Sequence, residues 1–171
     1  MKAITLWPEW SWAFSRLDKM VENRGWMHGL PPGELLAIHA GAYIGGRKGL
    51  VARDEGMAAL VSQARLARWQ ISGPTWKLGS TTRIIQKPGR EDVWIGGPAI
   101  RTSAIVAVGR VAQGPPAGAE LGWAVPGCRH WWFDQVWRLP TPVRCTGHQG
   151  LWPVAGELAE QVNAQLDRVA G

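Results

Sequence analysis

The chain is poor in cysteine, in phenylalanine and tyrosine, and in long apolar runs. Its 171 residues hold two cysteines, Cys128 and Cys145. Two thiols cannot build the disulfide framework of a small secreted domain, so both are expected reduced and packed as small apolar side chains. No apolar run approaches the roughly 20 residues that a bilayer span needs, so no membrane partner is expected. The opening Met1-Lys2-Ala3-Ile4-Thr5-Leu6-Trp7-Pro8 has one basic residue and is soon broken by Pro8 and Glu9. It lacks the layout of a signal peptide, which makes the cytoplasm the expected location. No G-x-S-x-G elbow is present, and Gly45-Gly46-Arg47-Lys48-Gly49 lacks the full phosphate-loop pattern. Cys128-x-His130 and Cys145-x-x-His148 supply zinc-type donors, but not at finger spacing. No metal and no cofactor is expected.

What the chain does have is tryptophan and uneven charge. There are twelve Trp against two Phe and one Tyr. Indole is costly to bury because its N–H wants a partner, so some of these rings belong to the core, and others are candidates for stacking on bases. The net charge is +6. Residues 47 to 110 hold eleven Lys and Arg against four Asp and Glu, a local +7 that leaves −1 for the rest. Charge polarised in this way attracts polyanions. Arg47, Lys48, Arg83, Lys87 and Arg90 are the candidate nucleic-acid contacts within it.

The patterning predicts many short strands and three helices. Strands are expected at 2–6, just after Lys19, at 35–40, 104–108, 131–139, 143–146 and 150–152. Pro8 suits the first turn of a helix carrying Trp10, Phe14 and Leu17. Asp54 is the expected N-cap of a second helix, running through Met57, Leu60, Val61 and Ala64 to about Trp69. Leu158, Val162, Leu166 and Val169 mark a third. Residues 41–49 read as a flexible glycine-rich stretch, and 71–98 as a long loop with a hairpin near Pro88-Gly89. This is an α+β pattern, a small mixed β-barrel of five or six strands with flanking helices, in one domain spanning 1–171.

Several segments carry a family likeness. Leu6-Trp7-Pro8-Glu9-Trp10-Ser11 resembles the opening L-x-x-P-W-A of one family, and Lys19-x-x-Glu22-x-Arg24, followed by Trp26, matches its G-x-K-x-x-E-x-R from the Lys onward. Leu36-Ala-Ile-His39-Ala40, Ala104-Ile-Val-Ala, Leu121-Gly-Trp123 and Pro142-Val-Arg-Cys-Thr-Gly-x-x-Gly-Leu-Trp152 follow in the same order. Together they resemble the ASCH family, a branch of the PUA-like superfamily, in its bacterial and phage members. Residues 41–98 stand apart as an enlarged basic insert. The resemblance implies a PUA-like barrel that handles RNA, another nucleic acid or a free modified nucleoside. Some small members deacylate acetylated cytidine and carry a Thr three residues after the Lys, where this chain has Glu22; Leu17 replaces the signature Gly.

The residues make a case of their own. A strand alternates faces, so Glu22 and Arg24 share one side, and a turn can bring Lys19 to it. A Lys desolvated beside Arg24 loses proton affinity and can act as a base; the same cluster could equally be a surface ion-pair group. Lys19, Glu22 and Arg24 are therefore the candidate catalytic or binding centre. Trp10, Trp26, His39, Trp123 and Trp152 are candidate substrate contacts, with Trp10, Trp26 or Trp152 expected at the cavity wall. His39 also reads as an ordinary core histidine in an apolar run. Two functions stay open: a nucleic-acid or nucleobase binder, and a small amidohydrolase acting on N-acylated cytidine with Lys19 central.

Overall fold

Apolar residues at strand and helix spacing form most of the elements expected of them. In the computed structural model, Lys2–Leu6 is strand β1, Pro8–Arg16 helix α1, Val21–Arg24 strand β2 and Leu35–Ala40 strand β3. Helix α2 (Gly46–Leu66) precedes three short strands, β4 (Gln70–Ser72), β5 (Arg83–Gln86) and β6 (Val93–Ile95). Then come β7 (Ala104–Ala112), a single 3-10 turn at Leu121–Trp123, β8 (Arg129–Arg144), β9 (Leu151–Pro153) and α3 (Gly156–Ala170). The structure describes residues 1–42, 46–72, 83–87, 93–95 and 102–171, with backbone alone over 46–54, 71–72, 83–85 and 93–95.

Six strands make one curled mixed sheet in the order β2-β8-β7-β3-β1-β9. Only β1 and β3 run parallel; the other pairings are antiparallel. The fold is thus α+β, a half-barrel with flanking helices. The continuous run Leu36–Ala40 is buried because β3 lies between β1 and β7 with both faces covered. One face carries Leu36, Ile38, Phe14 and Phe133. The other packs Ala37, Ile105 and Val108 against Val162 and Leu166 of α3. A third cluster joins Trp12 and Leu17 of the α1 region to Met57, Leu60 and Ala64 of α2, with Trp123 between them. No helix among the described residues is long and apolar enough to cross a membrane.

The structure differs from the sequence expectation in three elements. Arg129–Arg144 is one strand through Pro140 and Pro142, where two were expected at 131–139 and 143–146. β2 pairs with β8 only over Arg129–Trp132, so farther along one edge of β8 has no ladder bond for a proline to remove. The prolines fall in an irregularity, where Ile105 and Ala107 face Val143 and Arg138. Gln165 of α3 accepts the Thr141 N–H there, at 2.8 Å. Helix α2 starts eight residues before Asp54, because the preceding Arg47-Lys48 and Leu50-Val-Ala-Arg53 include strong helix formers and Asp54 competes only weakly as a cap. The stretch expected as a loop at 71–98 contains an antiparallel β4-β5-β6 sheet. Strands β5 and β6 pair antiparallel on either side of the hairpin expected near Pro88-Gly89, and that turn lies outside the described residues.

Candidate functional site

The short link between α1 and β2 builds the site. Asp18 turns the chain with φ of 52°, a left-handed conformation that Asp tolerates better than most residues. Lys19 is thereby folded inward and is 1% exposed. Its Nζ donates to the Val21 carbonyl and lies 3.2 Å from Glu22 Oε2. The amine also sits 4.3 Å from the centre of the Phe14 ring and 5.9 Å from that of Trp10. Glu22 is 7% exposed, and its other oxygen is 2.9 Å from Arg24 Nε, whose N–H is aimed off it. Arg24 Nη2 donates to the Thr5 carbonyl at 3.2 Å. Since β2 is one edge of the sheet and β1 lies next to the other edge, this bond ties the curled sheet across its opening. Burial lowers the proton affinity of Lys19; the Glu22 carboxylate pulls it back up, and the Arg24 charge pushes it down again.

Lys19 and Glu22 line a cavity of about 160 Å³. Trp10 of α1, Asn23 of β2, Gln63 of α2, Trp123 and Val125 complete its wall. Trp10, Asn23, Gln63 and Val125 are half-buried, so the cavity opens to the surface. Asn23 fixes the 123–125 segment from both sides: its Nδ2 donates to the Trp123 carbonyl and its Oδ1 accepts the Val125 N–H, each at 2.9 Å. Gly122 lets this segment approach α2, where a Cβ would stand 2.3 Å from the Leu66 carbonyl. Two buried atoms of the lining residues have no hydrogen-bond partner, Gln63 Oε1 and Trp123 Nε1. Lys19 also borders a second hollow of about 140 Å³ with Phe14, Arg16, Asp18 and Arg138.

The other candidates fall elsewhere. Arg24 does not line the cavity; it pairs with Glu22, which does. Trp26, expected at its wall, is 43% exposed and packs edge-on against Trp131 at 4.6 Å, outside the cavity. His39 is a core residue of β3: its Nε2 donates to the Cys145 carbonyl at 3.1 Å, its Nδ1 has no partner, and burial lowers its proton affinity. Trp152 packs against His39 with ring centres 5.7 Å apart, and its N–H donates to Thr5 Oγ1 at 3.2 Å. Both belong to the sheet core because β3 and β9 flank β1, away from the α1–α2 side. Lys87 pairs with Glu120 at 2.8 Å and lies 5.6 Å over the Trp69 ring. Arg47 and Lys48 fall on α2 and Arg83 on β5, described as backbone, while Arg90 lies outside the described residues. Both cysteines are free and half-buried, and among the described residues no three His, Cys, Asp or Glu gather as metal ligands.

Sequence reasoning missed Gln63, Asn23 and Glu9. Gln63 stands three residues after Leu60 and beside Ala64, at the edge of the apolar stripe of α2, and that placement was its signal. Period two sets Asn23 on the face of β2 opposite Glu22 and Arg24, and its role depends on a segment a hundred residues away. Glu9 is buried in α1 against Gly56 of α2, where a Cβ would meet its carboxylate at 1.8 Å. No family model and no curated protein sequence matches this chain.

Proposed function

We propose that the cavity beside Lys19 and Glu22 binds one flat heterocycle, a nucleobase, alone or within RNA. The carrying observation is the cavity itself: an indole wall from Trp10 and Trp123, a buried ion pair, and a volume of about 160 Å³. Engineered cavities of about 150 Å³ hold a benzene ring, whereas drug-sized pockets start near about 300 Å³. The space therefore suits one six-membered ring, with any sugar outside. The likeness of Lys19-x-x-Glu22-x-Arg24 to the ASCH signature supports the reading, and the +7 of residues 47–110 suits a phosphate-bearing partner.

A second reading, deacylation of N-acylated cytidine, rests on the Lys19 amine. A neutral amine has two N–H groups and one lone pair. Here the two can serve the Val21 carbonyl and Glu22, leaving the lone pair to take a proton from water attacking an acyl carbon. The C–N bond then breaks, and the proton passes to the departing cytosine amine. Incubation with N4-acetylcytidine, followed by chromatography and by equilibrium dialysis against cytidine, separates the readings. Cytidine released by the wild type and not by Lys19→Ala supports hydrolysis; binding without release supports a binder. Neither binding nor release contradicts the site.

A further inference from the structure

We propose that Gln63 and Trp123 read the edge of the bound ring, so that the ligand is a neutral heterocycle presenting one hydrogen-bond donor and one acceptor. This rests on the cavity reading above and adds the class of ligand and the residues that select it. The indole N–H of Trp123 can only donate, and the amide oxygen of Gln63 can only accept. Both atoms are shielded from solvent and lack any partner, and they do not satisfy each other. Buried polar atoms in native folds are nearly always paired, so an unpaired donor and an unpaired acceptor on two residues that line one small cavity call for an external partner, met by a small turn of each side chain.

The main chain of both residues is held in place. Trp123 is 1% exposed, and Asn23 anchors its main chain. Gln63 sits on α2, with Leu60 and Ala64 packed in the core on either side. The charges are already matched, since Lys19 faces Glu22 at 3.2 Å, so the lining asks for no net ligand charge. A flat ring that offers an acceptor to Trp123 and a donor to Gln63 has a lactam or amidine edge, N–H beside C=O or ring N beside C–NH2. Pyrimidine bases carry such edges; a plain hydrocarbon ring does not. Sites built to bond a polar group strongly reject analogues that lack it.

The test measures dissociation constants for cytidine and uridine, with benzene as the apolar control, on wild type, Gln63→Leu and Trp123→Phe, alongside melting of each unliganded protein. Expected are binding of at least one nucleoside by wild type, no detectable benzene binding, and losses of roughly tenfold or more in each variant. Unliganded Gln63→Leu should melt at or above the wild-type temperature, because it loses a buried group the fold leaves unpaired, whereas Trp123→Phe also leaves space in the core and should melt somewhat lower. Variants that bind like wild type overturn this assignment alone, as does a Gln63→Leu protein that melts several degrees lower, since its amide would then hold the fold. Tight benzene binding overturns the polar reading of the cavity. A wild type that binds no nucleoside overturns the cavity reading, and this one with it.

Discussion

His39 shows how one buried residue can set a property of the whole chain. Its Nε2 must carry the proton, because the Cys145 carbonyl can only accept. A second proton would place an N–H at Nδ1, which has no acceptor, under the main chain of Gly147, near His148 and against Trp152. Thr5, its β1 register partner, and Ile105 of β7 add no charge that could compensate. The folded proton affinity is accordingly below the ordinary value of 6.5. Between that lowered value and 6.5 the unfolded chain binds more protons than the folded one. The contribution is therefore fully present above pH 6.5 and lost as pH falls through the folded value. His28, lowered by burial, acts with the same sign. Urea midpoints should fall between pH 7.5 and 5, and His39→Gln should flatten that dependence; equal slopes for wild type and variant would remove His39 from this role.

Among elements, the contact between α2 and the 3-10 turn governs the cavity. A Cβ on Gly122 would meet backbone atoms, Leu66 C and O at 2.3 Å and Ala67 N at 2.5 Å, and backbone cannot swing aside. Gly122→Ala should cost about 1–3 kcal/mol in denaturant titration and weaken nucleoside binding by displacing Trp123. Gly114→Ala, with nothing within 4 Å, is the neutral control. Equal stability of the two variants would show that the turn yields freely. The same elements show what the sequence made legible. The shared face of Glu22 and Arg24 followed from period two, and the inward turn of Lys19 from its place before the strand. The continuity of β8 was hidden because proline tolerance depends on which edge is paired. The onset of α2 was hidden because a plausible cap at Asp54 lay inside a segment already able to form helix. The Lys87–Glu120 pair and the Asn23 clamp join residues far apart in sequence, which no local pattern encodes.

At the scale of the whole molecule, the basic segment takes part in the site. It contains α2, which brings Gln63 to the cavity and stacks Met57, Leu60 and Ala64 on the α1 side. The curled sheet, tied from β2 to β1 by Arg24 and Thr5, presents Lys19 and Glu22 to that helix. The cavity therefore lies where half-barrel and α2 meet. With twelve tryptophans, the chain offers twelve indole N–H signals as reporters spread across the fold. The most direct measurement is a proton–nitrogen NMR titration with cytidine, the Trp10 and Trp123 signals being assigned by Trp10→Phe and Trp123→Phe. A nucleobase in the cavity should move those two signals saturably, with Trp123 shifting most as its N–H gains an acceptor, while Trp152 and Trp131 stay still. Saturable shifts at other indoles, or no shift at Trp10 and Trp123 at any cytidine concentration, would contradict the assignment of this cavity as the binding site.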